Sequence, residues 1–136
     1  MTVHSTVRWL NERHFVGIDS DRHSVVLSGQ KDAVGVKPSQ MLLIALASCS
    51  AVDVVEILEK KRKKLSGLEV RVSAEQDSDP PWTYRKIHLD YRIRGEGLTE
   101  KAVEQSIRLS QEKYCSVAAT IRGVAEITTD YKIITD

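Results

Sequence analysis

Along most of its length the chain alternates apolar with polar residues, and it breaks that rhythm in two places. Val3 to Leu10, His14 to Ile18 and Ser24 to Ser28 alternate with period two, separated by turn formers at Asn11-Glu12 and Asp19-Ser20-Asp21. The rhythm returns where Leu68, Val70, Val72 and Ala74 oppose Glu69, Arg71, Ser73 and Glu75. It continues where Ile87, Leu89, Tyr91 and Ile93 oppose Lys86, His88, Asp90 and Arg92, and where Ala125, Ile127, Thr129, Tyr131 and Ile133 oppose Glu126, Thr128, Asp130 and Lys132. Successive side chains of a strand point to opposite faces, so each tract predicts a strand with one face buried and one wet.

The first break, Pro38 to Lys64, contains no internal glycine or proline. Proline suits a first helical turn, the cations at the far end suit a helix C-terminus, and Gly67 follows. The tract predicts one helix of about 40 Å. From Met41 to Leu58 it is apolar on nearly every side, a pattern of a membrane span or of a helix buried all round. Asp53 and Glu56, with Ser48, Cys49 and Ser50, argue against a span. A central core helix is expected, one that so short a chain needs a second subunit to cover.

The second break, Thr99 to Lys113, puts Ala102, Val103, Ser106, Ile107 and Ser110 on one face of small residues behind a candidate N-cap, Thr99. Ser116 to Arg122 predicts a further short helix closed by Gly123. The order β-β-β-α-β-β-α-α-β reads as an α+β fold with mostly antiparallel sheet and no internal repeat. The turn-rich stretch Asp77-Ser78-Asp79-Pro80-Pro81 joins two strands, so residues 1–136 are expected to form a single domain.

Charge narrows the function classes. Among 136 residues, 20 Lys+Arg against 19 Asp+Glu leave a formal charge of +1, which removes the electrostatic case for nucleic acid or an anionic membrane as partner. The basic run at Glu59 to Lys64 has no interleaved aromatics and reads as a solvated helix end. His4, His14, His23 and His88 are scattered without metal-ligand spacing, and no glycine-rich phosphate loop or nucleophile elbow occurs, so neither metal nor organic cofactor is expected. The N-terminus lacks a basic segment followed by an apolar one, so the expected compartment is the cytoplasm, where thiols are kept reduced.

That leaves the two cysteines. Cys49 lies mid-helix among small neighbours, and Cys115 lies at the junction of two helices, where a helix N-terminus can lower a thiol pKa. Each has two readings: a buried residue packing as a small hydrophobe, or a redox thiol. Asp53, one turn after Cys49, is expected to pair with Lys or Arg.

The segments Pro38-Ser39-Gln40-Met41-Leu42-Leu43-Ile44-Ala45-Leu46-Ala47-Ser48-Cys49-Ser50-Ala51-Val52-Asp53-Val54-Val55, Gly67-Leu68-Glu69-Val70 and Glu112-Lys113-Tyr114-Cys115-Ser116-Val117 together resemble the OsmC/Ohr family of osmotically induced and organic-hydroperoxide-resistance proteins, in its OsmC-like branch. The resemblance implies a swapped homodimer, with sheets of both chains wrapped around two long central helices. It also implies a cysteine peroxidase acting on organic hydroperoxides with electrons from a dithiol reductant, Cys49 attacking and Cys115 resolving. An apolar lining from Met41 and Ile44 would favour organic substrates. In the family's peroxidases a Glu at the opening of the central helix and an Arg from the N-terminal hairpin hold the reactive thiolate. Here Ser39 stands at the Glu position, and Arg13 is the best match for the Arg, with Arg8 and Arg22 as alternatives. The same resemblance allows a non-enzymatic stress protein that binds a small hydrophobic ligand at its dimer interface.

Overall fold

The alternating tracts form strands and the breaks form helices in the structure, a computed structural model that describes residues 1–29 and 34–135. The order is β1 (Thr6–Asn11), β2 (His14–Ile18), β3 (Ser24–Ser28), α1 (Pro38–Lys60), β4 (Lys64–Gln76), β5 (Tyr84–Glu96), α2 (Glu100–Leu109), α3 (Ser116–Ile121) and β6 (Glu126–Ile134). A π-helical turn over Ser110–Tyr114 joins α2 to α3. The expected α+β order is therefore observed. The chain divides into two compact units, Met1–Leu43 and Ile44–Asp136, with the boundary inside α1.

In the N-terminal unit β1, β2 and β3 form an antiparallel sheet in that order. Glu12 turns the first hairpin with φ +44, and its carbonyl accepts from Trp9 Nε1 at 2.9 Å. His14 Nδ1 lies 2.9 Å from Ser28 Oγ, tying β2 to β3. The expectation of a half-buried first strand is corrected here: all six residues of β1 are exposed, Val7 and Trp9 by 63% and 67%.

In the C-terminal unit β5 runs between β4, antiparallel, and β6, parallel. A parallel neighbour requires a crossover, and α2, the π turn and α3 supply it. Ile87, Leu89, Tyr91 and Ile93 alternate on the buried face of β5, each at most 1% exposed. β4 slips register against β5 between Leu65 and Gly67. Opposite the slip, a Cβ on Gly95 would stand 2.4 Å from the Lys64 carbonyl oxygen, so the close approach of the two backbones requires glycine there.

Helix α1 spans 23 residues, about 34 Å, and stops at Lys60 rather than at Lys64 as its charge pattern predicts. Arg62 takes a left-handed conformation, φ +60. Its N–H bonds to the Glu59 carbonyl at 2.8 Å and the Lys63 N–H to the Leu58 carbonyl at 2.9 Å. That pair of bonds is a Schellman cap, which frees Lys64 to begin β4. By length and composition the helix could cross a bilayer, yet Leu46, Ser50, Val54 and Leu58, four residues apart along one stripe, are fully buried in the C-terminal unit. On another side Ile44 and Val52 are 46% and 56% exposed.

Thr99 caps α2 as expected, its hydroxyl accepting from the Ala102 N–H at 3.1 Å. The small-residue face of Ala102, Val103, Ser106, Ile107 and Ser110 is buried. The helix does not stay α-helical to Lys113: from Ser110 it widens, and the Cys115 N–H reaches back five residues to the Ser110 carbonyl at 2.8 Å.

Candidate redox site

Both cysteines are free thiols, and the fold of the C-terminal unit sets them side by side. Cys49 is half-buried on α1, directly before the fully buried Ser50. Cys115 is 2% exposed at the N-cap of α3, and the π turn delivers it there. A π turn adds a residue to a helical turn and re-aims the chain beyond it, a device frequent at functional sites.

The Cys115 sulfur accepts from the Ala118 N–H at 3.4 Å and is also drawn on by the Val117 N–H. These donors act in the direction the sequence predicts for a helix N-terminus, towards a lower pKa. Burial outweighs them. Together with the hydrogen-bonding contact and charge of Cys49, it pushes the Cys115 thiol up to about 11. The expectation of a lowered pKa at Cys115 is thus reversed, because desolvation of the thiolate costs more than two backbone donors return.

Near the cysteines lies a group of polar side chains of which sequence reasoning singled out only Asp53 for its chemistry. Ser50 Oγ is 2.6 Å from the Tyr91 hydroxyl and 2.8 Å from Ser110 Oγ. Ser110 Oγ lies 2.9 Å from Asp53 Oδ2. Gln111 Nε2 donates to both Ser50 Oγ and the Tyr91 hydroxyl at 3.3 Å, while its own Oε1 is buried without a partner among the described residues. Burial raises the Tyr91 pKa, opposed by its bonds to Ser50 and Gln111 and assisted by the charges of Cys115 and Asp53. Asp53 therefore meets a serine hydroxyl rather than the cation expected of it. Ser110 on the small face of α2 was the other sequence signal for this group, because a serine facing a core needs a partner; Ser106 on the same face donates instead to the Val103 carbonyl at 2.7 Å.

Arg13 belongs to the N-terminal unit, at the β1–β2 hairpin, where its guanidinium donates to the Glu12 carbonyl and its own carbonyl accepts from Gly29 N–H at 2.9 Å. The first turn of α1 holds no acidic residue, so Ser39 brings no carboxylate to the helix opening. Among the described residues no group of three or more His, Cys, Asp or Glu could hold a metal ion. Two depressions of about 300 and 400 Å³, lined by residues such as Glu104, Asp130 and Tyr131, include neither cysteine.

The family model described as OsmC-like protein matches residues 29–130. Protein YhfA of Escherichia coli K12 is 33% identical over 128 residues, 94% of this chain and 96% of YhfA. The crystal structure of an OsmC like protein from Mycoplasma pneumoniae matches with a TM-score of 0.85 at 19% identity, covering 99% of each chain. That of the organic hydroperoxide resistance protein OhrB of Bacillus subtilis matches with a TM-score of 0.62 at 15% identity, covering 97% of this chain and 98% of OhrB. At those identities the two structures bear on the fold.

Proposed function

The chain belongs to the OsmC-like protein family, and on that premise we propose that it is a cytoplasmic, thiol-dependent peroxidase of stress defence that reduces organic hydroperoxides. One observation carries the reading: two free thiols from distant parts of the sequence are neighbours close enough to influence each other's ionisation, one half-buried and one sealed in. The Cys49 thiolate attacks the peroxide oxygen, the O–O bond breaks, the alkoxide takes a proton and leaves as alcohol, and Cys49 becomes a sulfenic acid. Cys115 then attacks the Cys49 sulfur, an S–S bond forms, and the hydroxyl departs as water. A dithiol reductant restores both thiols by exchange and is itself oxidised. Arg13 is the arginine this reading assigns to the mechanism. The catalytic unit is a homodimer, supported by the uncovered line of Ile44, Ser48 and Val52 on α1.

The test is turnover of cumene hydroperoxide with dithiothreitol, with sedimentation of the same protein. Cys49→Ser abolishes turnover. Cys115→Ser lets Cys49 react once and then stall or overoxidise. Turnover unchanged in the Cys49 variant overturns the mechanism, and a monomer by sedimentation overturns the assembly. The missing carboxylate at Ser39 favours a second reading, a non-enzymatic stress protein with a small hydrophobic ligand at its dimer interface. Under that reading both thiols of the wild-type protein remain unmodified by hydroperoxide.

A further inference from the structure

The backbones of the two cysteines are linked through a single residue of the π turn. Ser110, the first residue of that turn, is fully buried, and both of its polar ends are in use. Its hydroxyl donates to Ser50 Oγ at 2.8 Å and to Asp53 Oδ2 at 2.9 Å, which fastens it to α1 at the residue after Cys49. Its carbonyl accepts from the Cys115 N–H at 2.8 Å. Ser50 is fully buried as well, so water does not compete for the contact between the two hydroxyls.

The next residue bears on the width of the turn. In an α-helix the Cys115 N–H would bond to the Gln111 carbonyl, four residues back. Here it passes that carbonyl by and reaches Ser110 instead. The Gln111 carbonyl accepts from the guanidinium of Arg122, the C-cap of α3. Cys115 is the N-cap of the same helix, so Arg122 ties the far end of α3 to the turn that carries its near end. Gln111 Nε2, donating to Ser50 Oγ and the Tyr91 hydroxyl at 3.3 Å, is a further tether from the turn to α1 and β5.

We propose that Ser110 and Arg122 are positioning residues that set the approach of Cys115 to Cys49. Ser110 fastens the turn to α1 beside Cys49, and Arg122 holds it at the width that presents Cys115 there. This rests on the two-cysteine reading above and adds to it what aligns the closing step. One residue of helix is about 100° of rotation, so a turn closed at α-helical width would aim Cys115 in a different direction. Attack of one sulfur on another depends steeply on alignment, and a misplacement of about 1 Å can cost about 100-fold in rate. Both residues act through Cys115.

The experiment separates the closing step from peroxide chemistry. One equivalent of dithionitrobenzoate per chain releases colour twice. The Cys49 thiolate takes one thionitrobenzoate as a mixed disulfide and expels the other. Cys115 then gives its proton to the buffer and attacks the Cys49 sulfur; the S–S bond between the cysteines forms, and the second thionitrobenzoate leaves with the electron pair of the broken S–S bond. The first release reads access to Cys49, and the second reads the approach of Cys115.

Ser110→Ala and Arg122→Met should slow the second release by about tenfold, about 1.4 kcal/mol in the barrier, and leave the first unchanged. Ser106→Ala removes an equally buried hydroxyl from the same face of α2, one that bonds to the Val103 carbonyl, and should leave both releases unchanged. A second release at the wild-type rate in Ser110→Ala overturns the proposal. Should that variant not fold, the wild-type rate in Arg122→Met does so instead, since Arg122 is exposed and its substitution spares the core. Equal slowing in Ser106→Ala and Ser110→Ala also overturns it, because loss of any buried hydroxyl from α2 would then suffice. So does a first release slowed as much as the second, which would place the disturbance in α1. In the wild-type protein a missing second release would overturn the two-cysteine reading itself. Because the reagent is not a peroxide, inertness of the wild-type thiols to hydroperoxide would overturn the peroxidase reading and leave this test standing.

Discussion

The Ser50 hydroxyl on α1 and the Tyr91 hydroxyl on β5 lie 2.6 Å apart although 41 residues separate them. Neither is reached by solvent. The bond pins the helix that carries Cys49 to the middle strand of the C-terminal sheet, so it bears on stability as well as chemistry.

Removing one partner loses a buried hydrogen bond and leaves the other short of one of its partners, since Ser50 still meets Ser110 and Gln111 and Tyr91 still meets Gln111, which costs about 0.5–1.5 kcal/mol. Ser50→Ala and Tyr91→Phe are each expected to lower unfolding stability by that amount in urea titrations. The double variant should lose less than the sum, with a coupling of about 1 kcal/mol, because the second substitution removes the group that the first had left a partner short. Strict additivity would show that the two hydroxyls are not energetically coupled.

The end of α1 carries a separate prediction. Arg62 occupies φ +60, a region that costs a residue with a Cβ about 1 kcal/mol relative to glycine. Arg62→Gly should therefore raise the urea midpoint, by about 1 kcal/mol in stability, and Arg62→Val should lower it. A loss of stability in the glycine variant would mean that the arginine side chain contributes more than its backbone conformation costs.

How much of this was legible in the sequence depends on whether a feature is local. The alternation through Ile87, Leu89, Tyr91 and Ile93 identified β5 and its buried face, since one strand's period needs no partner to be seen. Thr99 was legible as a cap because the bond it makes closes within three residues. The end of α1 was not: Lys63 and Lys64 suit a helix terminus by charge, and an arginine at φ +60 lacks the glycine that usually marks the reversal. The π turn was hidden because Ser110 to Tyr114 keep helical spacing on paper and widen only in three dimensions. Both cysteines were legible as candidates. Their setting was not, because it joins Ser50, Tyr91 and Ser110 from three distant segments, and Tyr91 by pattern alone is simply a core aromatic.

Thiol labelling should separate the two cysteines. Cys115 is 2% exposed with its thiol pushed up to about 11, whereas Cys49 is half-buried on an open helix face. Alkylation proceeds through the thiolate, and a rise of about two units reduces that fraction about 100-fold near neutral pH. Native Cys115 should therefore react with iodoacetamide at least about 100-fold more slowly than in the urea-unfolded chain, read by mass spectrometry of the labelled peptides. Cys49 should be labelled first. Equal labelling of the two in the native protein would contradict the buried placement of Cys115.

The same thiol makes stability depend on alkali in a defined sense. The folded chain holds the Cys115 proton up to about 11 against an ordinary value of 9.0, so above the ordinary value the native state binds more protons than the unfolded one. Stability then falls as pH rises. The contribution is fully present below pH 9, declines between 9 and 11, and is gone once Cys115 ionises in the folded state as well. A shift of this size corresponds to about 3 kcal/mol as an upper bound for one buried thiol. Urea midpoints under reducing conditions should show this decline in the wild-type protein. Cys115→Ala, although less stable at neutral pH, should lose correspondingly less across the same interval. Tyr91, whose pKa burial also raises, contributes in the same direction in both proteins, and the Cys115 charge adds to its shift, so the difference between the two profiles reports Cys115 together with its effect on Tyr91. Parallel profiles would mean that the thiol ionises as readily in the folded chain as in the unfolded one.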